Sequence, residues 1–327
     1  MADVQEAEQE VTNPASAAGP VSKLDAALKA GEFVVSVEVV PPRIPSFAAL
    51  DKVVEAIESV AVGVNVTDFA GANVRISGAM VCKYLLEKGV EPIFQMTCRD
   101  RNRLAMQGDL LGLLAQGLRN VFCVSGDYIS LGDHPEAKAV YDIDSVNLIK
   151  MYNDMRTKGV FANGDLIRET PKTEHVIPKF CLGGACNPFA DPFEFRVDRL
   201  AKKAAAGADF VQTQCIFDLD RFERFMKLVC ERGLHKQIKI IGGVMPCKSH
   251  RPLLYMRDNV PGVRIPDEVI KRLEGAEDKK AEGVNIAVET VQRLRNMEGV
   301  AGIHIMTLSW EEVAPILVER AGLDKLN

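Results

Sequence analysis

The sequence predicts an α/β chain closed into a (β/α)8 TIM barrel, and three observations carry that expectation. Eight short β-rich runs alternate with stretches of helical periodicity. Those runs repeatedly end on a polar side chain, where a strand covered by helices would be apolar throughout. The third observation is size: 327 residues with 47% hydrophobic content can bury a full core and suit one barrel better than two ordinary domains. An unpaired buried polar group costs about 1–3 kcal/mol, so polar residues in matching places at the strand ends call for a ligand or for partners. The pattern predicts a site at the mouth of the barrel as well as a core.

The elements follow in order. The first 20 residues hold Asp3, Glu6, Glu8 and Glu10, no basic residue, and then a Pro/Ala/Ser stretch. Such a segment buries too little apolar surface to offset its ordering entropy, so residues 1–22 are expected to be a flexible acidic tail and 23–327 a single barrel domain. The expected strands are Phe33–Val40, Val62–Thr67, Pro92–Thr97, Asn120–Val124, Lys179–Leu182, Asp209–Gln214, Ile238–Gly243 and Ile303–Thr307. Between them, helical periodicity follows Ser46 as far as about Val60, then spans Ser77–Lys88, which Gly89 ends as a cap. Further helices are expected near Arg103–Leu118, near Asp144–Thr157, after Asp191 with Pro192 in the first turn, and over Leu219–Arg232 before Gly233. The seventh crossover carries Pro266–Leu273 and Ala281–Arg295, and the last helix begins near Trp310. The connection Tyr128–Pro178 is unusually long and reads either as a lid on the carboxyl face or as a surface insertion.

Composition narrows the function. A formal net charge of -5 gives no general affinity for nucleic acid or an anionic membrane. No apolar stretch approaches the ~20 residues needed to span a bilayer, and the N-terminus carries neither a secretory nor an Arg-rich targeting pattern, so a cytoplasmic location is expected. The eight cysteines lie mostly inside apolar elements without the close pairing of zinc or redox motifs. They read as reduced core thiols, Cys181 and Cys186 around Gly183-Gly184 included, and no metal is expected.

Glu38 precedes Pro41-Pro42, which end its strand, so its carboxylate is expected at the barrel mouth, usable as a general acid. A structural Glu paired with Arg or Lys fits the spacing equally well. Asp127 follows Ser125-Gly126, a tight turn that lets backbone approach a ligand closely; alone, the tripeptide reads at least as well as a turn cap. Gln214 shares a strand face with Gln212, and an amide offers both donors and acceptors to a lactam-like heterocycle, or to backbone. Thr67, Gln95 and Thr97 end neighbouring strands, and Lys202 and Lys203 follow on a helix. Together they suit a large polar ligand carrying phosphate, although helix lysines also make an ordinary solvated face. Gly183-Gly184-Ala185 permits close backbone approach but is no dinucleotide fingerprint.

Taken in order, Val37-Glu38-Val39-Val40-Pro41-Pro42-Arg43, Val66-Thr67, Met96-Thr97-Cys98, Ser125-Gly126-Asp127, Thr213 to Asp218, Val263-Arg264-Ile265-Pro266 and His304 to Leu308 resemble the flavin-dependent methylenetetrahydrofolate reductases. Each fragment is weak alone; their order and spacing, over about residues 30–320, are specific. The resemblance implies a (β/α)8 barrel that binds a flavin, FAD in the family's usual form, and interconverts methylenetetrahydrofolate and methyltetrahydrofolate. It implies that Glu38 is the acid assisting opening of the folate ring, that Asp127 lies near flavin and pterin, and that Gln214 binds the pterin. Thr67, Thr97, Gly126, Asp127, Ala185, Lys202 and Lys203 map near flavin-contacting positions and Leu308 near the folate. The wording also resembles reductases of anaerobes that work with partner subunits. It therefore implies NAD(P)H or another redox protein as electron donor, a homo-oligomer or a complex with a partner, and no C-terminal regulatory region of the eukaryotic type.

The chain departs from the family pattern at several places. Ser125 stands where an Arg is common, Gln95 where a His is, and His250 where an aromatic follows the seventh strand. Arg196 replaces an Asp used for the flavin ribose, and Trp310 a basic residue for the folate tail. These changes touch the adenine half of FAD, the folate tail and nicotinamide binding, and make FMN an alternative to FAD. Two other readings of the barrel remain: a pterin-binding methyltransferase, and a non-catalytic subunit of a larger redox complex.

Overall fold

The computed structural model describes residues 19–323 apart from 261. Eight strands close a barrel in sequence order, and every pairing, including that of the last strand with the first, is parallel. Along the chain the elements are α1 (Lys23–Ala30), β1 (Val34–Val39), α2 (Ala48–Ile57), β2 (Gly63–Val66), α3 (Gly78–Glu87), β3 (Pro92–Thr97), α4 (Arg103–Ala115), β4 (Asn120–Val124) and α5 (Ser145–Lys158). They continue as β5 (Cys181–Cys186), α6 (Phe193–Ala205), β6 (Phe210–Cys215), α7 (Leu219–Glu231), α8 (Leu234–Gln237) and β7 (Lys239–Val244). The last are α9 (His250–Asn259), α10 (Asp267–Gly275), α11 (Lys279–Arg295), β8 (Val300–Ile305) and α12 (Val313–Arg320). The predicted (β/α)8 barrel is therefore the observed fold. Most of the acidic tail expected over residues 1–22 lies outside the described residues.

The two-residue period of the strands divides the side chains. On β1, Val35, Val37 and Val39 face outward into the core shared with the helices, while Val34 joins an interior cluster and Ser36 bonds across the barrel to Gln212. That interior cluster forms the floor, with Ile93, Phe122, Phe210 and Ile241 packed on Leu24, Ala27 and Leu28 of α1. Burying an aromatic or large aliphatic side chain contributes about 1.5–3 kcal/mol, so a greasy plug under polar strand ends keeps the barrel closed. Helix α1 is held in place at its N-terminus: Ser22 accepts from the Asp25 N–H, and the Glu91 carboxylate accepts from the N–H groups of Lys23 and Leu24 at 2.8 and 3.0 Å. An anion there complements the helix dipole.

Three expectations need correction. Strand β5 begins at Cys181, two residues late, and continues through the Gly pair to Cys186, and β8 runs over Val300–Ile305 where Ile303–Thr307 was expected. Gly183 lies in the strand because a Cβ there would stand 2.4 Å from the Phe210 ring, which fills the barrel at that level. Helices α1, α8 and α9 were not expected. The long connection divides between the two ends of the barrel. Its first part folds over the carboxyl face, where Val140 and Tyr141 N–H donate to Arg99 and Cys98 carbonyls. The part after α5 leads into the start of β5 at the opposite end, and pairs back on itself through Val160 and Leu166. Among the described residues no helix is long and apolar enough to cross a membrane.

Candidate active site

The carboxyl ends of the strands open onto a cavity of about 600 Å³, within the range of small-molecule sites. Glu38, Thr67, Gln95, Thr97, Gly126, Asp127, Ala185, Lys203, Gln214, His304 and Leu308 all line it. Residues singled out from seven strand ends in the sequence thus meet in one space. Lys202 does not line it: its side chain is exposed on α6, with Nζ 5.8 Å from the Phe195 ring centre, the ordinary solvated face of a helix.

Immediately below Glu38 lies a layer of buried polar groups. Asn65 and Gln212 exchange hydrogen bonds, Nδ2 to Oε1 at 2.6 Å and Nε2 to Oδ1 at 2.9 Å. Gln212 Nε2 also reaches Ser36 Oγ at 3.0 Å, and Ser36 Oγ lies 3.1 Å from His304 Nδ1. His304 presents its other nitrogen, Nε2, to Glu38 Oε2 at 3.7 Å. All four are buried, whereas the Glu38 side chain is 24% exposed to the cavity. This layer satisfies the polar groups that made the strands look wrong for a core, and leaves one carboxylate above it facing open space. Asn65 was not picked out from the sequence; it sits mid-strand, and only the inward direction of its face shows its role.

On β2 to β4 the ends are tied by charge. Asp68 accepts from Thr97 Oγ1 at 3.0 Å and pairs with Arg101. Arg99, 1% exposed, forks onto Asp100 and donates to the carbonyls of Phe69 and Asp127. Burial is the strongest single influence and works against its charge, but the hydrogen bonds and charge of Asp100, with Asp127 and Tyr141 nearby, together hold the guanidinium pKa above the usual arginine value. Gly126 has φ +89, and a Cβ there would stand only 2.9 Å from Arg99 Cβ, so the turn needs glycine. Asp127 Oδ2 accepts from the Gly71 N–H at 2.8 Å. It is a turn anchor and a cavity-lining carboxylate at once, which joins the two readings of the sequence. Arg99 and Asp68 were missed because a basic or acidic residue after a strand is indistinguishable from surface charge in sequence.

The wall beside β5 is cationic. Arg196, Arg199 and Lys203, all on α6, line the cavity. Lys203 is 6% exposed and its Nζ donates to the Ala185 carbonyl; burial lowers its pKa from the ordinary lysine value. Arg196 donates to the Asp191 carbonyl and its Nε is buried without a hydrogen-bond partner. Thr67 Oγ1 is likewise buried with no partner. Orphaned polar atoms and a buried ammonium around one cavity fit an anionic, hydrogen-bonding cofactor such as a flavin nucleotide. Met245, Met306 and Leu308 supply apolar surface for a ring. Leu308 and Ser309 both hold positive φ, 48 and 60, in the turn after β8, backbone strain of the kind that collects at binding sites. His250 and Trp310 do not line the cavity; Trp310 lies beneath Lys248, whose Nζ is 5.4 Å from its ring centre. The residues from that side which do line it include Met256 and Val263.

A parallel barrel with an acid, a histidine, amides and cations gathered around one cavity at its carboxyl end is a (β/α)8 barrel enzyme in its architecture. The chain matches the family model described as methylenetetrahydrofolate reductase over residues 23–322, and belongs to that family. It is 26% identical over 300 residues to the 5,10-methylenetetrahydrofolate reductase of Salmonella typhimurium, covering 90% of this chain and 92% of the relative. It is 25% identical to methylenetetrahydrofolate reductase 1 of Schizosaccharomyces pombe over 242 residues, 72% of this chain but 36% of the relative, so it spans about a third of that protein's length. Among solved structures, an uncharacterized protein from Clostridium thermocellum that binds two copies of 5-methyl-5,6,7,8-tetrahydrofolic acid superposes with a TM-score of 0.64 at 16% identity, covering 94% of this chain and all of that one. At that identity the likeness supports the fold.

Proposed function

We propose that the barrel is a flavin-dependent oxidoreductase interconverting 5,10-methylenetetrahydrofolate and 5-methyltetrahydrofolate. The observation that carries this reading is the position of Glu38. It stands half-buried over the Ser36–Gln212–Asn65–His304 layer, in the same cavity as Asp127, Gln214 and the α6 cations. Family membership and the folate held by the Clostridium thermocellum barrel point the same way.

When bound, the flavin supplies the hydride. The protein's own part is to bind, orient and move a proton. Glu38 delivers a proton to the folate nitrogen that leaves as the five-membered ring opens, with the His304 ring 3.7 Å behind its carboxylate. Asp127 places negative charge beside the cationic iminium of the opened folate, stabilising it. Gln214, whose Oε1 is oriented by the Cys215 N–H at 3.0 Å, presents its amide to the pterin. Thr67, Thr97, Gly126, Ala185 and Lys203 hold the cofactor, with Leu308 against the folate. Lys202 has no part in this scheme.

FAD is the family's form. Arg196, in place of an Asp that would bind its ribose, favours FMN as a second reading, since the guanidinium is turned onto the Asp191 carbonyl. Chromatography of the flavin released from purified protein separates the two. We place the protein in the cytoplasm, in a homo-oligomer or with a partner subunit, and supplied with electrons by NAD(P)H or another redox protein. The functional test is reduction of methylenetetrahydrofolate by the reduced holoprotein. Protein that takes up no flavin on reconstitution would count against the proposal, and methyl transfer without flavin would select a methyltransferase barrel instead.

A further inference from the structure

A second cluster of ligating side chains lies at the amino end of the barrel, away from the cavity. Cys230 in the last turn of α7, His235 in α8 and Glu298 just before β8 bring a sulfur, a ring nitrogen and a carboxylate oxygen within 4.8 Å of one another. The backbone is shaped for this approach. Gly299 has φ +82, and a Cβ there would stand 2.9 Å from His235 Cβ and 3.1 Å from Cys230 Sγ. The groups do not satisfy one another. His235 Nε2 is 3.9 Å from Glu298 Oε1, too long for a hydrogen bond, and Nδ1 is buried with no partner although the side chain is only 15% exposed. The Cys230 thiol donates to the Glu298 backbone carbonyl at 3.6 Å, not to either of the other two side chains. Of the eight cysteines, the other seven are buried.

We propose that Cys230, His235 and Glu298 form a binding site for a thiophilic divalent cation of the zinc class, with water as the fourth ligand. A thiolate, an imidazole and a carboxylate are a tetrahedral zinc set, and the sulfur and nitrogen donors disfavour magnesium and calcium. Zinc bonds of roughly 2.0–2.3 Å require the ligand atoms to close by about 1 Å. The Glu298 side chain, 81% exposed, can make that move. On binding, the metal–sulfur bond replaces the S–H bond and the proton leaves to solvent, with no change of oxidation state. The ion would tie the α7–α8 turn to the start of β8, the strand that closes the barrel by pairing with both β7 and β1. The sequence hides the site because Glu298 comes from a segment far along the chain from Cys230 and His235.

The test uses metal-free full chain titrated with zinc chloride against a chromogenic chelator, and with cobalt(II) as a spectroscopic probe. One zinc per chain is expected, with a thiolate-to-cobalt charge-transfer band and zinc protection of Cys230 from alkylation. Cys230→Ser should abolish the band, and Glu298→Gln, an exposed change that leaves folding intact, should weaken zinc by about tenfold or more. Folate turnover should be the same in Glu298→Gln as in the parent. Zinc binding unchanged in both variants, or alkylation of Cys230 at the same rate with and without zinc, would overturn the assignment.

Discussion

Replacing Glu38 by Gln keeps the size and planarity of the side chain and removes only its ability to give up a proton. Glu38 stands in the cavity 3.7 Å from His304 Nε2 and makes no closer ion pair, so the amide is accommodated and stability should change by less than about 1 kcal/mol. General acid catalysis contributes about 10²–10⁴-fold, equivalent to roughly 3–5 kcal/mol of barrier. The whole of that loss should fall on the folate half-reaction, since donation of the proton is needed only when the folate ring opens. Rapid mixing measures each half separately: flavin bleaching on addition of reductant, and flavin reoxidation on addition of methylenetetrahydrofolate. The first should keep its parental rate within about twofold and the second should fall at least about a hundredfold. Equal loss in both halves would show that Glu38 supports the structure of the mouth, and no loss in either would remove it from the chemistry.

Gln212→Leu leaves the buried Asn65 amide without its cross-barrel partner, while Ser36 keeps His304, and should cost about 1–3 kcal/mol in chemical denaturation; an unchanged midpoint would mean the layer relaxes freely. Burial pushes the Cys98, Cys215 and Cys247 thiols up to about 12 and Cys186 up to about 11. At pH 8 these four stay protonated and enclosed; Cys230, partly exposed although burial and Glu298 raise its thiol pKa as well, should be the first thiol to react with Ellman's reagent, and the remainder only after unfolding. Lys203 has its pKa lowered by burial, so the folded apoprotein binds that proton less well than the unfolded chain does. Its stability should therefore rise with pH from the lowered folded value up to the ordinary lysine value and level off above it. Lys203→Met should remove that slope while weakening flavin binding; a variant with parental flavin affinity would take the ammonium out of the cofactor site.

The barrel was legible because its strands carry a strict register: Val35, Val37 and Val39 outward against Ser36 and Glu38 inward stands out as alternation in the residues themselves. Most of the proposed site was legible for the same reason, since a polar residue late in a strand can only lie at the mouth. What escaped lacks that local signal. Helix α1 is short, and its role depends on the floor it covers, formed by residues as distant as Ile241. Lys202 and Lys203 are adjacent and identical in chemistry; only the rotation of α6 sends one into the cavity wall and the other to solvent. Gly183-Gly184 reads as a place of close backbone approach to a ligand, but the Phe210 ring that requires a glycine in the strand comes from the neighbouring strand. Arg99 is invisible for a similar reason: its burial is set by Asp100 and by carbonyls at Phe69 and Asp127.

The central claim is that this cavity holds a flavin and a folate together and uses them in one reaction. A single-turnover experiment tests it most directly: reduce the flavin-loaded protein without oxygen, remove excess reductant, add 5,10-methylenetetrahydrofolate and quantify the folates. One equivalent of 5-methyltetrahydrofolate per bound flavin, formed as the flavin reoxidises, is the predicted result. Flavin that stays reduced in the presence of the folate, with no methyltetrahydrofolate formed, would contradict it.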